Sequence, residues 1–121
     1  MNSQKRMWIM VAGPYTSGAA DEDGLAANLA AMNRAAHAVW QRGHVPVIGV
    51  NMALPVIEAS GQEHFDAVMM PLSLALAERC DAVLRIGGPS KGADQEVELI
   101  REKGGLVFTS VEEIPAVESK P

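Results

Sequence analysis

Ser90, Gly92 and Glu96 are the residues whose types and spacing carry the most chemistry in this chain. They follow a strand-forming run, Asp81-Ala82-Val83-Leu84-Arg85-Ile86, that stops at Gly87-Gly88-Pro89. A strand that feeds a helix through such a small polar loop brings backbone N–H groups and the positive helix end to one point, which suits an anion such as phosphate. On a wheel at roughly 100° per residue, residues 92–103 place Ala93, Val97 and Ile100 on one apolar face, which Leu99 widens. Asp94, Gln95, Glu98, Arg101 and Glu102 fall opposite. Glu96 lies inside the apolar arc. A carboxylate there is desolvated unless it meets a cavity or a partner, and desolvation raises its pKa toward a catalytic range. The competing reading is a boundary glutamate whose stem packs while its head reaches solvent.

The elements that must position these residues alternate between strand and helix. Residues 7–12 form a continuous apolar run, as in a strand covered on both faces, and Gly13-Pro14 stops it. Residues 15–23 are a small, polar, glycine-containing loop. Leu25, Leu29, Met32, Ala36, Val39 and Trp40 recur near helical spacing, so residues 25–42 are a helix with Gly43 at its C-cap. Residues 44–50 read as a second strand, with Pro46 suited to a sheet edge. Residues 51–60 are irregular or briefly helical. Residues 62–79 are helical, and Pro71 either kinks that helix or opens its second half. Residues 81–86 are the third strand, Gly104-Gly105 end the following helix, and residues 106–109 are the fourth strand. Residues 111–121 are a polar tail.

This alternation predicts a flavodoxin- or Rossmann-like α/β fold: a three-layer sandwich around a parallel sheet of four to five strands, in the order 2-1-3-4(-5). Its switch point lies between the first and third strands, and ligands bind there, outside the carboxyl ends of the strands. The loops at residues 13–18 and 87–92 are then neighbours, with Glu96 beneath them.

Composition narrows the function. The 121 residues make one domain, and 48% of them are hydrophobic. A formal charge of −5 argues against nucleic-acid polymers and anionic membranes as partners, but not against a small phosphorylated ligand. The single cysteine, Cys80, excludes an internal disulfide and fits a reducing compartment; just before a strand it reads as a buried structural thiol. The apolar run at residues 7–12 is too short for a signal peptide or a membrane span, so a cytoplasmic protein is expected. Lys91 precedes Gly92 and no Ser or Thr follows in place, so this is not a P-loop, and no Gly-x-Gly-x-x-Gly follows the first strand. His37, His44 and His64 are scattered and read as structural or exposed. The seven methionines read as core filling, with an apolar pocket for a flat ring as the alternative. No metal or organic cofactor is implied.

Three blocks resemble the nucleoside 2-deoxyribosyltransferase family, which includes 2'-deoxynucleoside 5'-monophosphate N-glycosidases and small bacterial and phage relatives. They are Ile9-Met10-Val11-Ala12-Gly13-Pro14-Tyr15, Cys80-Asp81-Ala82-Val83, and Ser90-x-Gly92-x-x-x-Glu96; Gly43-His44-Val45 also resembles the family's junction between helix and second strand. The likeness covers residues 7–109. The opening alone is weak, but the blocks in order and at family-like distances are specific. The resemblance implies that Glu96 attacks C1' of a deoxyribose, so that the base leaves and a glycosyl-enzyme forms, to be resolved by water or a second base. It further implies that Ser90, Gly92 and the loop backbone hold a 5'-phosphate, that Gly13, Tyr15 and Ser73 border the base and sugar, and that the protein is a homodimer or higher homo-oligomer.

One position departs from the family. Eight residues before Asp81 the family carries an aspartate that protonates the leaving base; here it is Ser73. Serine is a poor general acid near neutral pH, and an aspartate restored at 73 is expected to supply the missing proton donor. Asp66, seven residues earlier on the same helical face, substitutes only if the helix breaks at Pro71. The sequence therefore supports an N-glycosidase or transferase acting on a small nucleotide, with a non-catalytic nucleotide sensor as the rival and a plain interaction domain behind both.

Overall fold

In the computed structural model, which describes residues 5–117, four parallel strands form one sheet in the order β2-β1-β3-β4. The elements are β1 (Trp8–Ala12), α1 (Glu22–Gln41), β2 (Val45–Val47), α2 (Gly49–Ser60), α3 (Phe65–Ala77), β3 (Ala82–Arg85), α4 (Lys91–Glu102) and β4 (Leu106–Phe108). Ile9 pairs with Ala82, Met10 with Val83 and Val11 with Leu84. The period of two along a strand divides these apolar runs between two cores. Ile9, Val11, Ala82 and Leu84 pack with Met32 and Val39 of α1. Met10, Ala12 and Val83 pack on the other face with Ala77 of α3 and with Val97 and Ile100 of α4. The result is the expected three-layer α/β sandwich, with four strands among the described residues.

Helix ends follow local chemistry. Asp21 caps α1 by accepting from the Gly24 N–H at 3.0 Å, and Glu22 and Asp23 complement the positive helix end. Helix α1 thus begins three residues before the expected position. At its far end Gly43 N–H donates to Trp40 O and His44 N–H to Val39 O, a Schellman pair that requires the left-handed backbone Gly43 adopts, φ +93°.

Two expectations are corrected, the second strand's length and the polar tail, and two are narrowed. The second strand is only Val45–Val47, because Gly49 and Val50 already belong to α2, and of the two readings of residues 51–60 the helical one holds, within a helix of 12 residues. Burial of Ala53 and Ile57 against Met69 outweighs the cost of Pro55, which faces solvent. Pro71 does not break α3, since it too lies on the solvent side, where water reaches the freed carbonyl. The tail is not uniformly polar. Ile114 is buried in the α1-side core, Arg42 donates to its carbonyl at 2.9 Å, and Val117 N–H donates to Arg42 O at 2.7 Å. The acidic pair Glu112-Glu113 masks this short apolar anchor in the sequence. Residues 118–121 of the tail lie outside the described residues. No helix among the described residues is long and apolar enough to cross a membrane.

Candidate active site

A cavity of about 260 Å³ opens beyond the carboxyl ends of β1 and β3, at the switch point. Gly13, Tyr15, Ser73, Ser90, Gly92 and Glu96, the six residues singled out from the sequence, all line it. The two glycine-rich loops meet above it. Ile86 N–H donates to Ala12 O at 2.9 Å, a Cβ on Gly13 would lie 2.9 Å from Ile86 Cγ1, and one on Gly87 would lie 2.7 Å from Pro14 Cδ. Small residues are thus required where the first and third loops touch.

Glu96 is 7% exposed and stands on the buried face of α4 with Ala93, Val97 and Ile100, as the wheel predicts. Ser73, 1% exposed, donates its hydroxyl to Glu96 Oε2. Burial pushes the Glu96 carboxyl up to about 7, against the opposing pull of the Ser73 hydrogen bond and the Arg85 guanidinium. Every fully buried side-chain nitrogen and oxygen among the described residues has a partner. Oε1 of Glu96, which makes no such bond, therefore keeps access to the cavity. The first residue of α2 closes the far side: a Cβ on Gly49 would overlap the Ser73 hydroxyl. Ser73 is held between Gly49 and Glu96, and it is Glu96 that it addresses.

Ser90 has a structural task that the sequence did not show. It is the N-cap of α4, its Oγ accepting from the Ala93 N–H at 3.1 Å. Its own hydroxyl proton is still available to a ligand. Helix α2 has no side-chain cap and reaches the cavity at Gly49 and Val50. Two helix N-termini therefore converge on one space, and both favour negative charge there. Lys91 adds a formal charge at the mouth, where an open groove of about 650 Å³ continues past Gly18 and Gly88. Arg85, which ends β3, splints this loop: it donates to Asp94 Oδ1 at 3.1 Å, to Gly88 O at 2.9 Å and to Ile86 O.

Some lining residues carried only a secondary reading in the sequence, or none. Met32, Met69 and Met70 border the cavity, so part of the methionine set serves a pocket as well as a core. Gly49 was concealed by its assignment to a strand. Asp66 lines the cavity although α3 runs unbroken through Pro71. Cys80 is buried in the α4-side core, which pushes its thiol up to about 11 and leaves it inert. His37 and His64 are exposed, and His44 is wholly buried at the other end of the sheet. No protein-family model matches the chain and no curated protein matches it, so the likeness to the nucleoside 2-deoxyribosyltransferases rests on the sequence motifs alone.

Proposed function

We propose that this protein breaks the N-glycosidic bond of a small nucleotide, a deoxynucleoside 5'-monophosphate, with Glu96 as nucleophile. The observation that carries this reading is the Glu96 carboxylate itself, buried on an otherwise apolar helix face with one oxygen held by Ser73 and the other open to the cavity. A site that merely bound anions would gain nothing from a carboxylate beneath two helix N-termini. In the reaction an ionised Glu96 oxygen bonds to C1', the C1'–N bond breaks, and the base departs with the bonding pair and takes a proton from water. Water or a second base then attacks C1', loses a proton to the hydroxide left by the first step, and frees the Glu96 carboxylate as the ester C1'–O bond breaks. The phosphate lies at the α4 N-terminus, near Ser90, Gly92 and Lys91, and the base lies among Tyr15, Met69 and Met70. The same reading makes the protein a cytoplasmic homo-oligomer.

Ser73 favours a second reading, a nucleotide sensor. It occupies the place of the expected acid, yet it is spent on Glu96 and offers nothing to a leaving base. Incubation with ribo- and deoxynucleosides and their 5'-monophosphates, followed by chromatography for free base, decides between the two. Base release from the deoxynucleotides supports the glycosidase. Tight binding of nucleotides without release supports the sensor, and the absence of both removes the nucleotide altogether.

A further inference from the structure

Asp66, Met69, Met70 and Ser73 recur at i, i+3, i+4 and i+7 on α3, and all four line the cavity. This one face runs about 10.5 Å along the helix axis from Asp66 to Ser73. Its two ends are unlike. At the Ser73 end the wall is closed, by the hydrogen bond to Glu96 and by the pressure of Gly49. At the Asp66 end the residue is exposed, and it makes no hydrogen bond or ion pair with any other described residue. Between them lie the thioethers of Met69 and Met70, with Phe65 beside Asp66. Besides Glu96, the charged residues of the lining are Asp66, on the first turn of α3, and Lys91, on the first turn of α4.

This layout gives the cavity a direction. A ligand whose reacting carbon sits over Glu96 turns its anionic end to Lys91 and Ser90, and its remaining ring system runs along the methionines toward Asp66. Aspartate carboxylate oxygens accept hydrogen bonds and have none to give. They reward an N–H edge and repel a carbonyl edge. We propose that Asp66 is a specificity residue that accepts a hydrogen bond from an exocyclic amino group of the base. With Asp66 facing the exocyclic position, the site then takes adenine and cytosine nucleotides in preference to hypoxanthine and uracil nucleotides, which carry a carbonyl there and have their N–H on the neighbouring ring nitrogen. This inference rests on the nucleotide reading given above.

The test compares binding of the 5'-monophosphates of deoxyadenosine, deoxyinosine, deoxycytidine and deoxyuridine by calorimetry, for wild type and Asp66→Asn. Asp66 is exposed at the cavity rim, so the variant keeps the fold. In the wild type each amino-bearing nucleotide binds about tenfold tighter than its carbonyl partner. In Asp66→Asn the carboxamide can turn either its oxygen or its NH₂ to the base, and the ratio falls to within about twofold. Equal wild-type affinities within each pair overturn the inference, as does a preference that survives in Asp66→Asn; both leave the nucleotide reading standing. Failure of all four nucleotides to bind the wild type overturns that reading, and this one with it.

Discussion

His44 and Glu96 are both buried ionisable side chains, at opposite ends of the sheet, and their surroundings differ in one respect. Met7 N–H donates to His44 Nδ1 at 2.9 Å, which leaves the proton on Nε2, and that proton goes to Pro115 O at 2.7 Å. The ring is fully satisfied by backbone, and it ties the start of β1, the start of β2 and the docked tail together. Glu96 has one oxygen satisfied and one facing a cavity. Burial alone therefore does not mark a working residue. A carboxylate desolvated by its surroundings and still open to a cavity on one oxygen does, because that oxygen is free to meet a ligand.

The largest expected effect separates the two ends by chemistry. Glu96→Gln keeps the side-chain shape but has no nucleophilic oxygen, so base release falls by on the order of 10³-fold or more while nucleotide affinity holds. A 2-fluoro sugar analogue adds mass at Glu96 in the wild type only. Undiminished release in the Gln variant assigns the reaction to another group. His44→Ala gives the converse. It strands a half-buried N–H and a half-buried carbonyl, leaves a cavity in place of a buried ring, and lowers unfolding free energy by about 2–5 kcal/mol in urea titration. Base release per folded molecule stays unchanged, and a selective loss of release would break the contrast between the two ends.

The contrast also has a pH signature. Glu96 titrates near 7 in the fold against an ordinary 4.5. Between those values the native protein holds a proton that the unfolded chain has released. Its contribution to stability is complete below about 4.5, declines as pH rises toward 7, and is flat above. The decline is on the order of 3 kcal/mol. Glu96→Gln lacks it, so the variant is the more stable protein at pH 8, and the stability difference between it and wild type narrows in acid. Parallel stability curves for the two proteins from pH 4 to 8 would show that Glu96 is not held in its neutral form.

The strand order was legible because apolar runs and glycine stops alternate cleanly, and the site followed from it: topology brings the first and third loops together, and the helical wheel places Glu96 among Ala93, Val97 and Ile100. Tertiary effects were not legible. Pro55 and Pro71 lie inside helices because their solvent faces tolerate a missing N–H, and no local pattern shows which face that is. Gly49 read as strand because its role, room for Ser73, depends on α3. Ser90 reads as a loop contact in a helix that begins at Gly92, whereas α4 begins at Lys91 and makes Ser90 its N-cap. Arg85 gave no signal, since a strand-end arginine becomes a splint only when the loop folds back on it.

The smallest expected effect concerns Ser73, which acts through Glu96. Its hydroxyl stabilises the ionised carboxylate and so opposes the rise that burial causes. Ser73→Ala removes that donor, and the midpoint of Glu96 titration moves up by about one pH unit. A carbon-detected NMR titration of the Glu96 carboxyl reads this without any turnover, and the pH–rate profile for base release moves with it. An aspartate at 73, attractive from the sequence, meets a different fate in the fold. Gly49 packs directly on Ser73, which leaves no room for a longer side chain. A second carboxylate would also stand against Glu96, and two like charges in contact drive one of the pair to remain protonated. Ser73→Asp is therefore expected to give no gain in base release, and to raise the Glu96 midpoint more than Ser73→Ala does. An unchanged midpoint in Ser73→Ala would reduce Ser73 to a packing residue. A gain of tenfold in Ser73→Asp would mean that position 73 faces the base after all, and that Glu96 is positioned by something else.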